Sequence, residues 1–365
     1  MTTKTKGADE RLAQVGVFTR FLQQPEVGAV IGAAAIWLLF ALLPASSSNW
    51  VSWRGLAQIL DPSSTWGIMA IAVALLMIGG EFDLSTGVMT GTTGIVAGML
   101  ATGLGWNLWP AMAAAFVFAV GVGLFNGYMV IRTGLPSFIV TLATFFILRG
   151  VNVGVTLLVT HQVYVGGIDQ AAGFDSARKF FNTTLQVFDV TWRTPILWWF
   201  ALIIIAHWVL IRTKYGSWIF AVGGDLNAAR NVGVPARRVK IALFVLTAVA
   251  AWLVGMMSIV RLRSAAAGQG VGQEFYYIIA ATVGGCLLTG GYGSVIGASI
   301  GAFILGMANT GIPFAGLPTD WYFSFLGLML LVAVLLNSFT RRRATEMSVA
   351  AAKTRTEVEA TTEEV

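Results

Sequence analysis

From residue 27 to residue 339 the chain is a succession of apolar runs parted by short polar or glycine-containing breaks, and that alternation leaves few folds open. Crossing about 30 Å of hydrocarbon takes roughly 17 to 25 mostly apolar residues. Ten runs approach or reach that length, at 27–44, 65–80, 86–104, 109–131, 137–160, 195–212, 241–260, 274–288, 294–312 and 321–339. The 365 residues are 56% hydrophobic and 11% charged, with a mean hydropathy of +0.77, which excludes an ordinary soluble domain. Backbone polar groups find no water in hydrocarbon, so spanning segments must be helices or closed barrels, and runs of this length are helical. The expected fold is an all-α polytopic membrane protein of about ten transmembrane helices with broken or re-entrant segments.

Basic residues orient such a chain. With the N-terminus in the cytoplasm, the inside segments hold sixteen Lys and Arg against six outside, so both termini are expected to be cytoplasmic. The same bias accounts for the formal charge of +6 without a nucleic-acid partner. Residues 1–26 read as a cytoplasmic segment with no signal peptide, in which Leu12, Val15, Phe18 and Leu22 space an interfacial helix on membrane lipid. Residues 27–339 form the membrane domain, with an extracytoplasmic segment at 161–194 and a cytoplasmic loop at 213–240, and "TRRR" leads into a polar, disordered tail at 340–365. Cys286 is alone, so neither a disulfide nor a thiol metal site is expected, and its role is core filling.

Glycines mark the packing surfaces, because helices in lipid associate through small residues. Gly87, Gly91, Gly94 and Gly98 form a stripe on the third run, Gly297, Gly301 and Ala308 another on the ninth, and "GVGLFNG" crowds the fourth.

The stretch "IGGEFDLSTG" (78–87) ends a second run of only about sixteen apolar residues, about 24 Å of helix, so Glu81 and Asp83 are expected within the membrane slab or at its edge. Carboxylates there must face protein, water or a cation. Two readings follow: a discontinuous helix beside a translocation path, or Asp83 or Ser85 capping the start of the third span. Arg149, in the middle of the fifth run, poses the same problem with opposite sign. It reads either as the ion-pair partner of Glu81 or Asp83, or as a contact for substrate hydroxyls.

In the cytoplasmic loop, Asp225 is placed to cap a helix over Leu226 to Val232, with Gly233 ending it in the left-handed conformation. Leu226, Ala229 and Val232 or Val234 would lie on one side, beside an Ala228–Arg230 edge. A helix of two turns is marginal alone and wants a partner.

Four motifs in register resemble the membrane subunits of ribose-type ABC importers, over about residues 60 to 340: "GGEFDLSTG", "LPSFIVTLATFFILRG", "GGDLNAARNVGV" and "GGCLLTGGYGSVIGASIGAFILGMANTG". The chain departs from that pattern at Glu81, at Cys286 and in the long segment 161–194. The resemblance implies a permease in the bacterial inner membrane that pairs with a second copy or a paralogue to pass a monosaccharide or small polyol. It implies a periplasmic or lipoprotein sugar-binding protein that delivers the solute, and a separate ABC ATPase that pushes on the loop helix through Asp225, Leu226, Ala228, Ala229, Arg230 and Gly233. The chain has no G-x-x-x-x-G-K-[ST] phosphate loop, so ATP is expected on the partner subunit and no cofactor on this one.

The rival class is a proton-coupled secondary transporter using Glu81 or Asp83. An intramembrane enzyme is disfavoured, since only His161 and His207 are available and neither H-E-x-x-H nor G-x-S-x-G occurs.

Overall fold

The structure is a computed structural model, and it describes residues 25–43, 50–187 and 189–335. The expected interfacial helix before residue 25 and the tail at 340–365 lie outside the described residues.

All ten expected spans coincide with helices. Six are long and apolar enough to cross a membrane unaided: α2 (Trp53–Ile78), α4 (Leu108–Thr133), α5 (Ser137–Thr160), α7 (Thr194–Arg212), α10 (Ala236–Leu262) and α12 (Val295–Phe314). The other four are shorter or less apolar: α1 (Pro25–Leu42), α3 (Thr86–Gly103), α11 (Gln273–Val283) and α13 (Trp321–Leu335). The all-α polytopic fold with broken segments is thus met, with six helices of full spanning length among the described residues. Among the described residues, three further α-helices lie between spans, α6 (Phe174–Phe181), α8 (Lys214–Gly224) and α9 (Leu226–Asn231), with a 3-10 turn at Ile168–Gln170.

α2, α10 and α12 are buried along most of their length, whereas α4, α5 and α7 present most of theirs outward. Glycine sets these approaches. A Cβ on Gly123 would lie 2.8 Å from the Phe244 carbonyl oxygen and one on Gly127 2.9 Å from Ile241 Cα, so α4 and α10 touch backbone to backbone. Gly297 and Gly301 bring α12 against the carbonyls of Gly284 and Ala280 on α11. The proline inside α2 is compensated by the same kind of contact. Pro62 cannot donate to the Gln58 carbonyl, which accepts from the Thr310 hydroxyl of α12 at 3.3 Å instead.

The segment 161–194 folds over one end of the bundle. Tyr164–Val165 (β1) pairs antiparallel with Ala265–Ala266 (β4), and Thr184–Val187 (β2) forms a hairpin with Val190–Arg193 (β3). That end also carries Arg261 and Arg193, both bound to Asp61. The other end carries Arg132, Arg212, Arg237, Arg238 and Lys240, and is called the basic end below.

Two interruptions organise the interior. After α2 the chain makes a turn over 79–85 and returns as α3. After α10 it does not cross outside the bundle, as a simple loop would. Residues 264–272 run back along the α3 glycine stripe: Gly94 faces Ala265, Gly91 faces the Gln269 backbone and Gly87 faces Gly270 and Glu274. The stripe expected to seat a helix seats α10 only at Gly94, against Ile259, and otherwise a re-entrant segment of turns, with β1 and the neighbouring Ile168 against Gly98.

Candidate functional site

The first interruption begins where α2 ends in a Schellman turn. Gly80 takes φ +81°, its N–H donates to Met77 O at 2.9 Å, and Glu81 N donates to Leu76 O at 3.1 Å. Two N–H groups that the turn would leave open are taken by hydroxyls in the first turns of α5. Phe82 N donates to Ser137 Oγ at 2.9 Å and Leu84 N to Thr141 Oγ1 at 3.1 Å. The first two motifs of the sequence are therefore one joint.

Asp83, 2% exposed, closes that joint. Its Oδ1 accepts from Ser85 N at 2.9 Å and from the Ser85 hydroxyl, and its Oδ2 accepts from Thr247 Oγ1 of α10 at 3.0 Å. Asn126 Nδ2 donates to Ser85 Oγ at 3.1 Å, and Thr144 Oγ1 donates to Asn126 Oδ1 at 2.7 Å. Four parts of the bundle, α4, α5, α10 and the turn, share this buried chain. The capping reading is met in modified form, since Asp83 binds the Ser85 N–H in a turn just before α3 and Ser85 makes no side-chain cap bond.

Glu81 is buried and its Oε1 accepts from Lys240 Nζ. The helix before the pair is longer than the apolar run alone suggests. α2 has 26 residues, about 39 Å, because its polar first half is also helical. It needs no midpoint break to span, and its break falls at the basic end beside Lys240.

The third and fourth motifs meet the first at a glycine junction. A Cβ on Gly80 would lie 3.3 Å from Gly223 Cα, and one on Gly290 2.7 Å from Gly80 Cα. Gly291 N donates to Ile78 O at 2.8 Å, and Gly223 sits against that same carbonyl. Only residues without a side chain let three backbones approach so closely.

Beside the junction is α9. Asp225 Oδ1 accepts from Asn227 N at 2.9 Å and Ala228 N at 3.0 Å, and Gly233 at φ +85° lies just beyond its end, as the spacing predicted. The side chains sort differently from expectation. Ala229 is buried and Leu226 half-buried, so that face packs inward, while Ala228, Arg230, Val232 and Gly233 are exposed. A cavity of about 310 Å³ opens between α9 and the joint, lined by Glu81, Ser137, Leu226, Arg230, Arg237 and Lys240 among others.

Arg149 is brought to neither Glu81 nor Asp83, which corrects the expected ion pair. It lies eight residues beyond Thr141 on α5, about 12 Å along the helix, and its side chain is exposed on the outer face. The buried carboxylate of the second interruption is instead Glu274, at the start of α11, whose two oxygens accept from Gly272 N at 3.1 and 3.0 Å. Sequence reading missed Glu274 because it treated the run beginning there as an ordinary span. The signal available was the glycine-rich "GQGVGQE" just before it.

Residues 55–335 match the family described as branched-chain amino acid transport system / permease component. The chain belongs to this permease family. The permease is 29% identical over 363 aligned residues to the xylose transport system permease protein of Escherichia coli, covering 86% of this chain and 92% of the relative. It is 30% identical over 305 residues to the ribose import permease protein of the same species, covering 83% and 92%. The autoinducer 2 import system permease protein of Photorhabdus laumondii is 29% identical over 325 residues, covering 89% and 92%. The resemblance read from the four motifs therefore holds, and the permease is a multi-pass transport subunit rather than an enzyme.

Proposed function

We propose that this permease passes a monosaccharide or related small polyol inward, driven by a separate ATPase that docks on α9 at a cytoplasmic basic end. The observation that carries the reading is mechanical. α9 is joined through Gly223 to the same glycine junction that ends α2, so a push on α9 reaches the α2–α3 joint without a flexible link. The names of the relatives, two of them for pentoses, support the solute class. The absence of a phosphate loop from the sequence supports hydrolysis of ATP on the partner chain, with no cofactor held here. An extracytoplasmic binding protein would meet the opposite end, where the segment 161–194 lies, and a second copy or a paralogue would complete the pathway. Glu81, Asp83 and Ser85 then act as the joint that moves, and Arg149 as a wall of the path.

The proton-coupled reading loses ground because it needs a carboxylate free to exchange. Glu81 is held by Lys240, and Asp83 accepts three hydrogen bonds.

Ala228→Glu and Val232→Glu test the docking. Both positions are exposed, so the permease should insert at the wild-type level while co-purification of the ATPase and its stimulated ATP hydrolysis fall at least about tenfold. Wild-type co-purification by both variants would refute docking on α9. Ala229 is unsuited to this test because it is buried and its replacement would disturb the loop itself.

A further inference from the structure

The basic end carries more positive charge than the fold consumes. Arg230 near the end of α9 and Arg237 and Arg238 in the first turn of α10 are exposed, and among the described residues none of their guanidiniums makes a hydrogen bond or ion pair. Lys240, the next cation along α10, is taken by Glu81.

These side chains are gathered around shared space. Arg230 and Arg237 both line the cavity of about 310 Å³ beside the joint, together with Glu81 and Lys240, and both line a second cavity of about 380 Å³ together with Arg238. The two arginines therefore stand as a partition with a cavity on either side. Cavities of roughly 300 Å³ and above are of the size that takes small ligands. Glu81 is the one carboxylate on either wall, and with Lys240 bound to it the walls keep a surplus of three guanidiniums. Guanidiniums around one space repel each other until an anion lies between them, and their fork of donors matches phosphate oxygens best.

The rest of the first cavity is apolar. Val130 and Ile131 of α4 line it with Leu135, and Leu135 leads into Phe138 and Ile139, all three exposed where α5 begins its outward face. A free phosphate ion would leave that wall in water, and an acidic protein surface would have to enter the edge of the bilayer to cover it. An anionic head carrying acyl chains meets both halves of the site.

We propose that these two cavities hold the headgroup of an anionic phospholipid, its phosphate between Arg230 and Arg237 and its acyl chains over Leu135 and the outer face of α5. Basic pockets between spanning helices are suited to such headgroups. The lipid would tie α9 to the start of α10 from the side opposite the glycine junction, and so stiffen the loop against a push. That mechanical role rests on α9 being the docking helix for an ATPase; the lipid site does not.

The test is lipid retention by the purified full-length permease, taken from nanodiscs of equimolar phosphatidylcholine and phosphatidylglycerol and read by native mass spectrometry. The wild type should keep phosphatidylglycerol over phosphatidylcholine by about tenfold or more. Arg230→Gln with Arg237→Gln should remove that preference, whereas Arg132→Gln with Arg212→Gln, the same change of charge at basic-end positions outside both cavities, should keep it. Leu135→Glu sets a carboxylate on the exposed apolar wall, should also lower retention, and serves if the double variant fails to insert. Equal losses from the two arginine pairs would overturn the proposal, because they would show attraction to the basic surface as a whole. Displacement of the lipid by inorganic phosphate would assign the arginines to a free anion, and expulsion of the lipid on binding of the ATPase would assign them to that protein; either result overturns the lipid site. Retained phosphatidylglycerol on a permease that co-purifies no ATPase would refute docking on α9 and keep the lipid site.

Discussion

The turn after α2 and the turn after α11 have the same backbone and different chemistry. In the first, Gly79 at φ −70° and Gly80 at φ +81° are followed by Glu81 N donating to Leu76 O at 3.1 Å. In the second, Gly284 at φ −69° and Gly285 at φ +93° are followed by Cys286 N donating to Ala281 O at 3.0 Å. Where the first turn continues with Glu81 and Asp83, the second has Cys286 and Leu288. The Gly-Gly turn therefore folds without carboxylates, and the two acids answer another need. Glu81 ties the first turn to Lys240 and Asp83 ties it to Thr247, both on α10, the helix that leaves the α9 loop. The second turn carries no carboxylate: Cys286 is fully buried, and the segment after it closes on itself through Leu287 N donating to Tyr292 O at 3.1 Å. One turn is fastened to the helix next to the loop, and the other is a plain corner.

The comparison can be broken most severely at the junction where both turns meet α8. A Cβ on Gly223 would occupy the space of the Ile78 carbonyl oxygen, whereas nothing lies within 4 Å of one on Gly224. Gly223→Ala should cost more than about 3 kcal/mol and remove most inserted protein, while Gly224→Ala stays within about 0.5 kcal/mol. Similar thermal stabilities of the two purified variants would show that the junction tolerates separation.

Asp83→Leu comes next. It leaves the Ser85 N–H and hydroxyl without their acceptor, leaves the Thr247 hydroxyl with only the Phe244 carbonyl, and adds bulk where the first turn is tightest, for an expected loss of about 3 kcal/mol in unfolding stability. Asp83→Asn keeps one acceptor and should lose about 1 kcal/mol. Equal losses would mean that shape, not hydrogen bonding, holds the joint.

Glu81→Gln strands the Lys240 ammonium in a largely buried position and should cost about 1 to 3 kcal/mol. Adding Lys240→Met should recover most of that loss, because an absent pair is cheaper than an orphaned charge. A double variant no better than the single would place the Lys240 contact outside the stability of the joint.

The smallest effect belongs to the second turn. Cys286→Ala removes one sulfur atom from a packed site and should cost about 1 kcal/mol, with transport unchanged. A transport defect as large as that of Asp83→Asn would end the distinction between fastened joint and plain corner.

What the sequence determined by itself is the part set by hydrophobicity and local backbone chemistry. Run lengths and composition put ten helices in the right places, and the Asp225–Gly233 spacing placed the α9 cap and the left-handed turn beyond it. Those features depend on residues within a few positions of one another. Four motifs in register also carried the family. Only the tertiary structure decided which residues meet. It extended α2 through its polar half, gave Glu81 to Lys240 across 159 positions, and turned the inner face of α9 into a buried one. It also folded 264–272 back along the α3 glycines and so set Glu274 against Gly87. Periodicity cannot show a re-entrant segment, because its residues are not periodic, and it cannot choose among buried carboxylates for a cation. That choice is made by the geometry of close approach, which glycines permit but do not specify until the helices have packed.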